Sequence, residues 1–221
     1  MKLFFEAIAK FTCGLLLVGL LIFLPAGTLA YTYGWLFVAL LFVPMLIAGF
    51  VMLAKSPDLL KRRLDAKEKQ GTQKTVVALS GLMFIGGFVV AGLDYRFGWS
   101  QMPLWVTVAA SALFLVAYGL YAEVIRENAY LSRTIRVEEG QKVVDTGLYG
   151  IVRHPMYAVT VLLFTVMPLV LGSWYALIPF AFYPAIIVAR LKDEEDLLTR
   201  ELPGYEAYKQ KVKYRIIPFI W

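Results

Sequence analysis

The one histidine of the sequence, His154, stands directly before a proline and a long apolar run, in the stretch Asp145-Thr-Gly-Leu-Tyr-Gly-Ile-Val-Arg-His-Pro-Met-Tyr157. Proline is pre-organised for the first position of a helix, so Pro155 marks a helix start. The backbone N–H groups and the positive end of such a helix face any bound anion. Arg153, His154 and Tyr157 gathered at one helix start add side chains that bind anions and move protons. Each also has an ordinary use: His154 as a capping or interface residue, and Tyr149 and Tyr157 as members of an interfacial aromatic belt. A second group lies at the end of the last apolar run, Arg190-Leu-Lys-Asp-Glu-Glu-Asp196. Arg190 and Glu194 are four residues apart, on one helix face and about 6 Å apart along the axis. An exposed ion pair at that spacing contributes a few tenths of a kcal/mol. Four consecutive acids at 193–196 disfavour a helix C-terminus, where cations belong, so either the helix continues past them or they serve a ligand.

Several common signatures are missing. No Gly-x-Gly-x-x-Gly follows a strand-like run, there is no Walker sequence, and no Cys/His spacing suits zinc, so a Rossmann-type nucleotide site and a metal centre are not expected. Cys13 is the single cysteine, which rules out an internal disulfide and leaves the redox compartment open. Its apolar surroundings suit lipid or helix packing.

These groups must be positioned by membrane helices. Of the 221 residues 60% are apolar and 17% charged, outside the range of soluble domains. The apolar residues form six runs: 11–30, 34–54, 76–93, 103–122, 156–171 and 174–189. Each approaches or reaches the roughly 20 residues of a helix that crosses a bilayer. Lys2 and Lys10 ahead of the first run, which ends in Thr28-Leu29-Ala30, also fit a cleaved leader; a retained helix is the expectation. The fold class expected is all-α: a polytopic integral membrane helix bundle of four spans plus a C-terminal helical hairpin, kinked by Pro168, Pro179 and Pro184, with a cytoplasmic cofactor site. Residues 1–125 form the expected transmembrane unit and 126–221 the expected catalytic region. Between them in character is 56–75, where Ser-Pro-Asp precedes Leu59, Leu60 and Leu64 among basic residues; this segment reads as a capped amphipathic helix on the membrane surface or as a solvated loop.

The basic residues set the orientation. Two precede the first run, seven lie between the second and third, five between the fourth and fifth, and seven follow the sixth; only Arg96 falls on the other side, so 21 of the 22 share one face. By the positive-inside rule that face, with both termini, is cytoplasmic. The charge excess is thereby spent on topology, and no nucleic-acid partner is expected. The two polar segments long enough to build a site fall on this same face.

Taken together, Gly147-Leu-Tyr-Gly-Ile-Val-Arg-His-Pro-Met-Tyr157, a helical hairpin, Arg190, Glu194-Glu195, and Gly204-Tyr-Glu-Ala-Tyr with a basic tail resemble the isoprenylcysteine carboxyl methyltransferase family and its bacterial relatives. The resemblance covers roughly 133–221. It implies a multi-pass protein of a bacterial cell membrane that transfers a methyl group from S-adenosyl-L-methionine to a lipophilic or prenylated small molecule, with the bilayer as its other partner. It further implies cofactor contacts from His154, Pro155, Met156, Tyr157 and Tyr149, from the stretch Gln141 to Val144 with Lys142 and Val143, and from Glu194 on the opposite wall. Arg190 is then the catalytic residue, facing the acceptor carboxylate. Two other classes compete: an NADPH-dependent membrane reductase of the steroid-reductase group, whose C-terminal motifs are related, and a non-catalytic membrane protein or transporter. Few ionisable residues lie within the spans, which disfavours a transporter.

Overall fold

The computed structural model describes residues 1–65, 71–131, 135, 137 and 139–221. Helices α1 (Lys2–Ala26), α2 (Thr32–Lys55), α4 (Gly71–Phe97) and α5 (Leu104–Glu127) match the first four apolar runs. These four are, among the described residues, the helices long and apolar enough to cross a membrane. At 1.5 Å per residue each is about 36–40 Å long against a hydrocarbon core of about 30 Å. Their outward faces are apolar: Leu20, Leu82 and Trp105 are 61%, 66% and 72% exposed, tolerable only where lipid replaces water. The described residues form helices and turns without strands, an all-α membrane bundle.

A short helix, α3 (Pro57–Leu64), follows α2 almost without a break. Proline at its first position and the basic Lys61, Arg62 and Arg63 in its last turn suit the helix dipole, and the Ser56 side chain makes no capping bond. Leu59 and Leu60 are buried, and Arg62 Nη2 donates to the Ala129 carbonyl at 2.8 Å, which ties α3 to the end of α5. Of the amphipathic segment expected over 56–75, residues 66–70, with Lys67 and Lys69, lie outside the described residues, and α4 already begins at Gly71. Arg133 and Arg136 also lie outside them.

The hairpin consists of α6 (Pro155–Val170), a tip, the single turn α7 (Leu177–Phe180) and α8 (Tyr183–Glu201). Its second arm is broken between α7 and α8, with Pro184 at the restart and Pro168 inside α6. The tip turns at Gly172, where φ is +72° and an added Cβ would lie 2.6 Å from the Tyr33 ring, so a residue with a side chain is excluded twice over. Asp94 holds the tip. This carboxylate is 2% exposed and accepts from the Ser100 N–H and hydroxyl, each at 2.6 Å, and from the Ser173 hydroxyl. Close backbone approach brings the layers together: a Cβ at Gly92 would lie 2.5 Å from the Ile22 carbonyl oxygen of α1, and one at Gly87 would lie 2.3 Å from the Phe180 ring of α7. Gly81, by contrast, has open space around it. An aromatic cluster of Phe84, Phe88, Phe164 and Phe180 fills the centre.

Side-chain bonds sort the ends of the bundle. Lys10 reaches Leu64, Arg62 reaches Ala129, and Gln73 reaches Asp193 on one face; Tyr31 reaches Leu171, and Trp174 reaches Ser100, on the other. The loop with Arg96 belongs to the second face. In a cysteine-free background, a membrane-impermeant maleimide applied to inside-out vesicles is expected to label Lys61→Cys and spare Gln101→Cys. The reverse pattern would overturn the cytoplasmic assignment of the first face.

Candidate functional site

The chemistry at the first face begins with the way the chain enters α6. A 3-10 turn (Gly147–Gly150) delivers Tyr149 into the interior, where Asn128 Nδ2 donates to its hydroxyl at 3.0 Å and burial pushes the phenol up to about 12. His154 occupies the cap position of α6 but makes no side-chain capping bond. Its ring is 5% exposed, with Nε2 3.2 Å from Glu195 Oε1 and 3.5 Å from the Tyr205 hydroxyl. The sequence offers the backbone N–H groups beside Pro155 to an anion. In the structure the His154 N–H donates instead to the Arg215 carbonyl at 2.9 Å, and the Arg153 N–H before it to the Tyr214 carbonyl at 2.8 Å, because the C-terminal tail runs alongside.

Glu195 is the hub of this arrangement. It accepts from Arg153 Nε at 2.7 Å and from Arg215 Nε at 2.9 Å, and it faces the His154 ring. Arg153 Nη1 continues to the carbonyls of Val212 and Lys213, at 2.8 and 2.9 Å. Burial on its own pushes the Glu195 carboxyl up, but hydrogen bonds from His154, Arg153 and Arg215 reverse that and hold it well below the usual carboxylate range.

One turn of helix away, a second network faces the open space. Tyr157, 3% exposed, donates to Glu194 Oε2 and accepts from Arg190 Nε at 3.1 Å, so its hydroxyl stands between the two residues that the sequence pairs by spacing alone. Arg190 Nη1 donates to Gln73 Oε1 at 3.1 Å, and Gln73 Nε2 donates to Asp193 Oδ2 at 2.7 Å. The helix does continue past the acids, to Glu201, and Asp193, Glu194 and Glu195 each have a separate partner.

These networks border a cleft with about 840 Å³ of atom-free space, its open mouth included. Lys142, Val143, Val144, Tyr149, His154, Met156, Tyr157, Arg190 and Glu194 all line it. Pro155 does not; it is buried at the first position of α6, where it sets the turn that puts His154 on one side and Met156 and Tyr157 on the other. The Tyr149 and Tyr157 side chains are interior, so neither belongs to an aromatic belt. Sequence reasoning left the roles of Glu195, Tyr205, Tyr208 and Gln73 unassigned. Tyr205 and Tyr208 sit three residues apart on α9 (Tyr205–Lys211), a spacing that puts both on one face, and both line the cleft. Gln73 has no local signature.

Part of the chain that builds this face is similar to known proteins. The chain is 30% identical over 91 residues to the Delta(14)-sterol reductase TM7SF2 of Mus musculus, a stretch that is 40% of this chain and 22% of that protein. The chain therefore spans about a fifth of the length of the curated relative it matches. Residues 107–200 match the model of the isoprenylcysteine carboxyl methyltransferase (ICMT) family. That match starts inside α5 and stops one residue before the end of α8, so the part of the chain that is similar to this family takes in both arms of the hairpin with the polar groups at their feet.

Proposed function

We propose that this protein is a membrane methyltransferase that uses S-adenosylmethionine to methylate the carboxylate of a lipophilic acceptor, such as a prenylcysteine-like compound. The observation that supports it is convergence: of the eleven residues implied by resemblance, all but Pro155 line one cleft, although they come from three separate stretches of chain. In this reading residues 126–221 are the catalytic region and 1–125 the membrane scaffold. The cleft face is cytoplasmic, on the side that carries 21 of the 22 basic residues.

The residues present fit the cofactor. Leu131, Val143, Val144 and Leu198 with Tyr149, Tyr205 and Tyr208 offer an apolar, aromatic wall suited to an adenosyl group, and the Glu194 carboxylate suits its cationic end. When bound, the cofactor supplies an electrophilic methyl group. A carboxylate acceptor is already ionised near neutral pH, so the chain has no proton to remove and its work is orientation and exclusion of water. Arg190, held from two sides, orients the acceptor. Tyr157 holds the Arg190 and Glu194 walls at a fixed separation. A lipophilic acceptor comes from the bilayer, while Gln141 and Lys142 give the cleft a polar edge for the soluble cofactor.

The identity to a sterol reductase supports a second reading, an NADPH-dependent membrane reductase. Ligand-dependent melting in detergent separates the two: S-adenosylhomocysteine is expected to raise the unfolding temperature and NADPH to leave it unchanged. Glu194→Ala is expected to weaken S-adenosylmethionine binding by about 5- to 150-fold, the range for removal of a polar ligand contact. Stabilisation by NADPH alone would replace the methyltransferase reading with the reductase.

A further inference from the structure

A second cavity shares no lining residue with the cleft and lies between α1 and α2, toward their basic ends. Its walls run from Phe4 to Phe11 on α1 and from Met45 to Leu53 on α2, and Leu60 of α3 completes them. Among the described residues, all that line it are apolar, and it holds about 330 Å³ of atom-free space, its open side included. Gly49 makes the gap: a Cβ added there would meet open space. One turn deeper the seam closes, where the Phe11 and Phe42 rings meet edge-on at 5.4 Å. Phe4, Met45 and Phe50 stay exposed, so the groove opens sideways, toward lipid.

Dimensions and charge narrow the occupant. At 1.5 Å per residue the two walls are about 10 and 12 Å long, against about 15 Å for the hydrocarbon of one leaflet. The groove thus fits inside a single leaflet and runs along the helices, the direction of an acyl chain. Its surface end is basic: Lys2 precedes Phe4 by two residues, Lys55 follows Leu53 by two, and Lys61 follows Leu60 directly, all three exposed. The segments that frame the groove carry six basic residues, Lys2, Lys10, Lys55, Lys61, Arg62 and Arg63, against the acids Glu6, Asp58 and Asp65. Glu6 is already bonded to Lys10. Hydrocarbon below and an anion above belong to one molecule, a phospholipid with an acidic headgroup.

The helix α3 connects this groove to the cleft. Leu60 lines the groove, while Arg62 Nη2 donates to the Ala129 carbonyl at 2.8 Å and Arg63 Nη2 donates to the Tyr121 hydroxyl of α5. Asn128, beside Ala129, holds the Tyr149 hydroxyl at the cleft.

We propose that the groove is a phospholipid site: one acyl chain of an anionic glycerophospholipid fills it, the headgroup sits among Lys2, Lys55 and Lys61, and the bound lipid supports α3 against α5. This ligand is separate from whatever enters the cleft, and the proposal stands apart from the reading of the reaction.

The full-length protein, stripped of lipid in detergent, is titrated with dioleoylphosphatidylglycerol or dioleoylphosphatidylcholine, and bound lipid is counted by native mass spectrometry. The wild type is expected to keep one phosphatidylglycerol under conditions that remove phosphatidylcholine, and its tryptic cleavage after Arg62 and Arg63 is expected to slow when phosphatidylglycerol is bound. Gly49→Phe puts a ring into the open gap; it is expected to melt like the lipid-free wild type and to lose both the bound phosphatidylglycerol and the protection. Lys2→Gln/Lys55→Gln/Lys61→Gln is expected to weaken phosphatidylglycerol by roughly 5-fold for each lysine and to leave phosphatidylcholine unchanged. Equal retention of the two lipids by the wild type, or undiminished phosphatidylglycerol binding in Gly49→Phe, would overturn the proposal and leave ordinary contact with surrounding lipid. A dimer that Gly49→Phe converts to monomer would overturn it in favour of a second copy of the chain. Should Gly49→Phe fail to fold, the lysine variant decides, since its changes are all on exposed side chains: an unchanged preference for phosphatidylglycerol would overturn the site.

Discussion

Arg190→Lys is expected to abolish methyl transfer to a carboxylate acceptor while S-adenosylmethionine binds almost as before. The Arg190 guanidinium reaches Tyr157 through Nε and Gln73 through Nη1, each at 3.1 Å. An ammonium on a shorter stem has no planar fork; it can satisfy one of these partners and cannot also present a matched pair of donors to a carboxylate. Disrupting a hydrogen-bonded charge pair in a shielded site typically costs about 2–5 kcal/mol, or roughly 30- to 5,000-fold in kcat/KM. Glu194 and Tyr149, the groups proposed to face the cofactor, stay in place, so equilibrium binding and turnover measured on the same variant separate the two roles. Near-normal turnover would remove Arg190 from the reaction and leave it as a scaffold residue. Loss of cofactor affinity along with turnover would move it into the cofactor site.

The largest expected loss of stability comes from Glu195→Gln. Arg153 and Glu195 are 7% and 6% exposed at their side chains, and removing one member of such a buried pair typically costs about 3–5 kcal/mol, because the other charge is left uncompensated. Two further partners, His154 and Arg215, lose the same acceptor. Glu195 holds Arg215 directly and fixes the Arg153 side chain that binds the Val212 and Lys213 carbonyls, so faster tryptic cleavage at Lys211 and Lys213 should accompany a lower unfolding temperature. The pH dependence follows from the depressed folded-state pKa of Glu195. An unfolded carboxylate titrates near its ordinary value, about 4.3, while the folded one stays ionised well below it, so on acidification the unfolded chain takes up the proton first. The contribution of Glu195 is therefore complete above about pH 5 and erodes as pH falls toward the folded pKa. The wild type should lose unfolding temperature between pH 5 and more acid values by this route, and Glu195→Gln should lack that component. Unchanged melting and proteolysis in the variant would show that the tail is held by something else.

Sequence pattern carried the fold a long way, for a physical reason: in lipid every backbone group must be satisfied within the helix, so an apolar run of sufficient length has one conformation open to it. The first four runs became α1, α2, α4 and α5, and the prolines at 168, 179 and 184 marked where the hairpin bends and breaks. Charges placed the two polar segments on one face. What pattern could not supply was partners across sequence distance. Arg190 and Glu194 look like an ordinary helical pair, and only the packing of α6 against α8 puts the Tyr157 hydroxyl between them. Gln73 and Asp193 are 120 residues apart, and a glutamine at the head of an apolar helix carries no hint of its partner. The tail offers the plainest example: its Arg215 carbonyl takes the His154 N–H, one of those beside Pro155 expected to face a ligand, a contact made by backbone and so indifferent to residue type.

The Asp94 cluster at the hairpin tip has a mechanical consequence. Asp94 ties Ser173 and Ser100 at one end of α6, and Glu195 ties Arg153 and His154 at the other, with 16 residues of helix between them. A rod pinned at both ends cannot slide along its length or lift at one end without breaking buried polar bonds. Swinging about the line that joins its pins is blocked as well, because it would break the bonds of Gln73 on α4 to Asp193 and Arg190 on α8 and pull Phe180 from its seat against Gly87. The hairpin is less a door on two hinges than a panel screwed to its frame along one side. The cleft at its foot is thus a mould whose shape is set before anything enters it.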